Sequence, residues 1–452
     1  MINMKSLLEI NEYIEKHKKE VNGKYRLKYH MMPPIGWMND PNGLLYSGGR
    51  YHLFYQYNPY QTQPGTMLWG HFTSADLIHY TDESVALAPV EEHTSIFSGG
   101  AIEIDHTIYA VYTIHYEYEG VKKEGIYLSK SLDTIHFTEP VCIFDNEELP
   151  ENISRIDFRD PYPVKRKDKY YVLVGGKNTD KNQGVIVVLE GDSLERLKYS
   201  FTIGPFYELG DMGECPSLVQ IDGRDVLIAS GCHVPSRGND FKNVNSSVFI
   251  VGELDFIHKK MKVDFIKEID KGDTFYAPQF INQSPEPILI GWLEMWGKPY
   301  PTHNLGHGWT GAFSIPRKIS IHDGDIYQSP VDLSSLYQEC AFGYPQCLDI
   351  ACNIYPQGKI TIAGENGCVR IALDEYVTLD TLDANNENGC IRRSNQKYSG
   401  CQLRILCDVS SIELFIDDGK EVISSRIYLD GAYSISADKN VQSLKIKKMG
   451  VD

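Results

Sequence analysis

The stretch IGWMNDPNGLLYSGGRYHLFYQY, residues 35–57, sets one acid, Asp40, between two asparagines and just before a proline. Asn, Asp, Pro and Gly are turn formers, so IGWMNDPNG alone reads as a loop before a strand. The remainder reads as a β-hairpin, two β-rich runs around Ser47-Gly48-Gly49. The same shape recurs. SGGAIEIDHTIYAVYT begins at Ser98, RDPYPVKRKDKYYVLVGG at Arg159, ECPSLVQIDGRDVLIASG at Glu214 and YAPQFINQSPEPILIGWL at Tyr276. With Pro41, Gly100, Pro161, Pro216 and Pro278 as markers, the units are 59, 61, 55 and 62 residues apart. Five β-rich units at near-constant spacing predict an all-β fold built by radial repetition, a five-bladed β-propeller. A sandwich of the same length needs no such repeat.

In a propeller the first strand of each unit lines the central channel, so the unit starts converge at one mouth. Three of those starts carry an acid immediately or one residue before a proline: Asp40, Asp160 and Glu214. Ser98 and Tyr276 hold comparable places in the other two. Like charges at close range raise one another's pKa, so three carboxylates at one mouth are costly unless something uses them. Two carboxyls flanking a bond, one ionised and one protonated, is what glycoside hydrolysis requires. Trp37, Phe97, Tyr276, Trp292 and Trp309 stand near strand starts and ends and offer flat apolar faces to a sugar ring; each also reads as an ordinary core aromatic.

At 452 residues the chain is too long for one ordinary core, and two domains are expected. Hydrophobic residues at 42% suit a globular fold, and the 29 tyrosines suit half-buried strands. A net charge of -17, from 61 acids against 44 bases, argues against nucleic acid or anionic membrane as a partner. No spanning segment or signal-type apolar run is visible, and the ten cysteines lack CxxC or finger spacing, so reduced thiols and a cytoplasmic location are expected. Ser6 and Glu9 form a capping box ahead of Leu7, Ile10 and Ile14, which predicts an N-terminal helix ending near Asn22-Gly23. His71, His233, His303 and His307 lack ligand spacing with the acids, and GxGxxG, GxxxxGK[ST] and GxSxG are all absent. No metal or cofactor is expected.

Taken in order, WMNDPNG (37–43), FYQYNP (54–59), WGHFTSADLIHY (69–80), FSGG (from Phe97), FRDP (from Phe158), ECP (from Glu214), FYAPQ (from Phe275) and SIPRKI (from Ser314) resemble glycoside hydrolase family 32, the invertases and fructan hydrolases. The resemblance spans about residues 35–320 and implies a propeller followed by a β-sandwich. LRILCDVSSIELFIDDGKEVISSRIY, residues 403–428, resembles the close of that sandwich, and alternating strand runs from about Gly343 support it. The expected division is an N-terminal helix and lead-in at 1–28, a propeller at 29–325 and a sandwich at 340–452, hinged at 325–340.

By matching positions, the resemblance implies that Asp40 is the nucleophile of a retaining reaction on a β-fructofuranosyl unit and that Glu214 is the acid and base. Asp160 would grip ring hydroxyls, with Arg159 beside it. Asn39, Gln56, Trp69, Phe97, Ser98, Arg159, Tyr276 and Trp292 would shape the substrate pocket. Neighbouring acids are expected to keep Glu214 protonated near neutral pH. In one departure from the family pattern, YQTQPGTML replaces a segment that in many relatives carries a pocket tryptophan. The expected substrate is sucrose 6-phosphate or sucrose, the alternatives being a fructan or a carbohydrate-binding propeller without catalysis. The segment leading into WMNDPNG resembles intracellular family members that act on phosphorylated sucrose, and phosphate would need a base such as Arg237, Lys298 or Lys177.

Overall fold

A computed structural model describes residues 6–337 and 346–450. Five antiparallel sheets follow one another along the chain, over residues 36–82, 94–144, 153–203, 212–268 and 276–330. Their first strands are Gly36–Ser47, Thr94–Ile104, Ile153–Arg166, Met212–Ile221 and Tyr276–Phe280. Each first strand touches the next, and the fifth touches the first, so the series closes on itself. The short strand Trp309–Thr310 adds to the first sheet, parallel to Gly36 and Trp37, and ties the last unit to the first.

Burial on both faces explains why many strands read as unbroken apolar runs. In YVLV, Val172 and Val174 pack toward the second sheet, while Tyr171 and Leu173 pack toward the fourth. Successive strand residues point to opposite faces, so each sheet feeds two apolar layers. The remaining layers join sheets one and two (Phe54, Trp69, Tyr112), four and five (Phe249, Phe280, Leu289), and five and one (Leu44, Leu53, Ile288).

Beyond residue 346, two five-stranded antiparallel sheets pack face to face around Ile350, Ile362, Ile371, Ile405 and Leu414. Gly343, at the expected onset of these strands, and part of the expected hinge lie outside the described residues. The N-terminal helix is Leu7–His17, with the Ser6–Glu9 capping box formed and Ile10 and Ile14 buried. It ends sooner than expected, and Leu7 stays largely exposed. Past a short turn at Lys18–Glu20 the Asn22 N–H is taken by the His307 carbonyl, which draws the chain out of the helix.

The two halves meet through buried ions. Arg317, fully buried, reaches Glu413 at 2.6 Å and Asp270 at 2.9 Å. Arg426 reaches Glu294 at 3.0 Å. Main chain pairs across the junction as well, Lys271 N–H to Val422 and Asp273 N–H to Ser424. Gly272 between them is required by close approach, because a Cβ there lies 1.8 Å from the Ser424 carbonyl oxygen. His30 sits between Asp408 at 2.8 Å and Glu413 at 3.0 Å. Burial alone lowers its pKa, but hydrogen bonds to Asp408 and Glu413 outweigh it and raise it from 6.5 to about 9.

A folded-state pKa above the unfolded value gives stability that is complete below about pH 6.5 and lost as pH rises through about 9. Unfolding free energy from denaturant titration is therefore expected to fall by up to about 3 kcal/mol between those limits. In His30→Gln the fall should be smaller than in wild type, the remainder coming from buried acids such as Asp160 that are also raised. A wild-type value that holds steady to pH 9.5 rules out a charged His30.

Candidate active site

In all five first strands, pairing with the second strand slips at the same height. The register passes from Met38↔Tyr57 to Pro41↔Tyr55, from Ile96↔Ile114 to Gly99↔Tyr112, and from Arg159↔Gly175 to Tyr162↔Leu173. It does so again from Glu214↔Ser230 to Ser217↔Ile228 and from Tyr276↔Trp292 to Gln279↔Ile290. Each slip leaves two residues against one, a β-bulge, which twists the strand and re-aims its side chains. The bulged pairs are Asn39-Asp40, Phe97-Ser98, Asp160-Pro161, Cys215-Pro216 and Ala277-Pro278. Proline is tolerated there because a bulged residue owes the ladder no N–H.

Two sequence expectations change. Asp40 lies inside a continuous strand rather than in a turn. The three acids also hold staggered rather than equivalent places: Asp40 is the second bulged residue, Asp160 the first, and Glu214 the residue before the bulge. Asp160 and Cys215 have φ of 63° and 47°, and Gly43 adopts φ 50° where a Cβ would lie 2.8 Å from the Trp69 ring. Gln279 fastens the strands around this height, accepting from the Leu44 N–H and donating to the Gly99 carbonyl.

The staggered acids share neighbours. Asp40 accepts from Asn39 Nδ2 at 3.0 Å and from Ser98 Oγ at 2.7 Å. The Cys215 thiol lies 3.6 Å from Asp40 Oδ2 and 3.4 Å from Asp160 Oδ2, and the Cys215 N–H donates to Asp160 at 3.0 Å. Glu214 accepts from Arg159 Nη2 at 2.7 Å and Nε at 3.1 Å, and from the Tyr276 hydroxyl at 2.5 Å. The remaining Arg159 nitrogen, Nη1, reaches Glu124 at 3.3 Å. Sequence reasoning missed Cys215, although it lies within ECP, and missed Glu124, which no local pattern marks.

A cavity of about 430 Å³ opens over the three acids, large enough for a small sugar. Asn39, Gln56, Phe97, Ser98 and Arg159 line it. Trp69, Tyr276 and Trp292 do not. Trp69 is buried and donates to the Phe97 carbonyl, so it supports the wall from behind. Trp292 packs edge-on against Trp37 at 5.6 Å in a buried cluster with Met67, Cys215 and Tyr276, and Trp309 is buried beside Tyr25 and Tyr428. Met67 and Trp296 face the cavity instead, Met67 within the segment that lacks the family tryptophan. None of Arg237, Lys298 and Lys177 is among the lining residues; Arg237 faces Glu208 and Lys298 faces Asp273.

The proton distribution also departs from expectation. Burial, together with the Glu214 charge, pushes Asp160 up to about 8. Burial likewise raises Asp40, against hydrogen bonds from Asn39 and Ser98. Burial pushes Glu214 up too, yet the Arg159 charge and the Tyr276 and Arg159 hydrogen bonds overcome it, leaving Glu214 below the ordinary carboxylate value. The balance of these shifts favours a proton on Asp160 over one on Glu214. The neighbouring acids do compete for a proton, but one guanidinium decides which keeps it.

The pattern of the glycosyl hydrolases family 32 N-terminal domain matches residues 30–330, and that of the family 32 C-terminal domain matches residues 370–448. A sucrose-6-phosphate hydrolase of Escherichia coli is 32% identical over 438 residues, 88% of each chain. A raffinose invertase of Escherichia coli is 29% identical over 88% of this chain and 89% of that one. The solved GH32 β-fructofuranosidase of Bombyx mori is 29% identical with a TM-score of 0.87, covering 98% of this chain and 97% of that one. A variant of it has been solved in complex with sucrose. The chain thus belongs to glycoside hydrolase family 32, and it is a glycoside hydrolase.

The proton on Asp160 is open to direct observation. The infrared difference between wild type and Asp160→Asn should contain one protonated carboxyl at pH 7 that titrates near pH 8. In Glu214→Gln that signal should titrate lower, because the charge that helps to raise it is gone. A featureless difference spectrum at pH 7 would refute the assignment.

Proposed function

We propose that this hydrolase is a retaining β-fructofuranosidase that releases fructose from sucrose or sucrose 6-phosphate. One observation carries the reading: Asp40, Asp160 and Glu214 meet in a single cavity, joined by the Cys215 thiol and N–H on one side and held by Arg159 on the other. The names of the relatives and the sucrose bound to a variant of the silkworm enzyme support the substrate class.

Asp40 attacks the anomeric carbon, its carboxylate oriented by Asn39 and Ser98. Glu214 protonates the leaving oxygen, then takes a proton from the water that releases fructose. Asp160 accepts from ring hydroxyls. Hydroxyls donating to Asp160 favour its ionised form, so the proton shared by this pair passes to Glu214 when a sugar fills the site.

We read the five sheets as the blades of a β-propeller and the last two as a β-sandwich, divided near residues 325–340. The closed ring of first strands and the separate apolar core of the C-terminal sheets support this. The nine cysteines among the described residues are free, several of them buried, which supports a reducing cytoplasmic setting.

Asp40→Asn and Glu214→Gln are each expected to lower fructose release at least about a thousandfold with the circular dichroism spectrum unchanged. A fructoside with a good leaving group should restore much of the first step in Glu214→Gln and none in Asp40→Asn. Equal restoration in both would defeat this division of roles.

A further inference from the structure

Six carboxyl side chains line the cavity, those of Asp40, Glu117, Glu124, Asp157, Asp160 and Glu214, against two permanent cations, Lys122 and Arg159. Both cations are already engaged. Arg159 divides its nitrogens between Glu214 and Glu124. Lys122 stands at the mouth with its ammonium 3.4 Å from Glu117. His115 bridges the two groups, 3.4 Å from Glu117 and 3.2 Å from Glu124, with its ring stacked on Phe97 at 4.3 Å. A continuous chain of polar contacts therefore runs from the rim to the leaving-group acid: Lys122, Glu117, His115, Glu124, Arg159, Glu214.

We infer that Glu117 is a specificity residue, which makes the leaving-group side of this cavity accept a neutral sugar and reject a phosphorylated one. This rests on the β-fructofuranosidase reading. A phosphate monoester brings a charge of about -1.5 to -2 at neutral pH and needs Lys or Arg nitrogens free to donate to it. Among the described residues that line the cavity, no cation is without a carboxylate partner. Seating phosphate on Lys122 would strip Lys122 from Glu117 and leave that carboxylate beside a dianion, with Asp157 and Glu124 close by. Arg237 and Lys298 cannot help without leaving Glu208 and Asp273. A hydroxyl, in contrast, donates to these carboxylates and accepts from Lys122 without breaking any pair.

The electrostatics also point to the residue that can be changed. Glu117 is half exposed at the end of its strand, so Glu117→Gln leaves the core untouched while freeing Lys122. The test is kcat/KM for sucrose and for sucrose 6-phosphate, side by side in one buffer, for wild type and Glu117→Gln. Wild type is expected to favour sucrose at least about tenfold, a preference narrowed by high salt through screening. In Glu117→Gln the ratio should move toward the phosphorylated sugar by roughly five- to tenfold. A wild-type preference for sucrose 6-phosphate, or a ratio unmoved by the substitution, overturns the inference while fructose release still upholds the fructosidase reading. Release of fructose from neither sugar overturns both.

Discussion

The bulge repeated in the five first strands is the constraint on which the site depends. A regular strand alternates its side chains between two faces, and in this fold both faces are occupied by apolar layers. Acids placed on either face would be buried among Val, Leu and Phe without partners. Setting two residues against one at a single height frees a few side chains in each strand from that alternation. Asn39, Asp40, Phe97, Ser98 and Asp160 thereby turn toward a common opening without interrupting the sheets that carry them. Gln279 then clamps neighbouring strands where the ladder is weakest.

Once the acids share one opening, the placement of Arg159 governs the chemistry. It sits one residue before Asp160 but spends its charge on Glu214, in the next sheet, and on Glu124, in the previous one. Glu214 is thus favoured in its ionised form, and Asp160, left with less cationic support, in its protonated form. Charge at the site is a property of three sheets together. The same pairing extends through His115 to the rim, so the proton balance at the floor and the charge seen by an entering sugar belong to one connected network.

The junction between the two halves uses buried charge differently. Arg317, His30, Asp408, Glu413 and Asp270 face one another almost entirely out of water, where removing one partner commonly costs 3–5 kcal/mol. Such a junction tolerates little sliding. The fifth sheet, which supplies Tyr276 to Glu214, leads into Asp270–Asp273 on its upstream side, and that segment hydrogen-bonds to residues 422–424 of the C-terminal sheets. Docking of the C-terminal sheets is in this way coupled to the position of one hydrogen-bond donor at the site.

The sequence by itself determined the all-β class, the fivefold recurrence of hairpins, the helix cap at Ser6 and the three acids. Each is written in local pattern: alternation and turn residues over short spans, repeated at a near-constant interval. Membership of the family was legible for the same reason, since its motifs are short and ordered. Only the tertiary structure decided that Asp40 lies within a strand, that Trp69, Trp292 and Trp309 are buried in packing clusters rather than lining the cavity, and that Glu124, His115, Glu117 and Trp296 border it. It also decided that a proton is favoured on Asp160 over Glu214. Those facts turn on which side chains come within about 4 Å across different sheets, where Coulomb energy and desolvation are set, and distances between sheets leave no trace in local pattern.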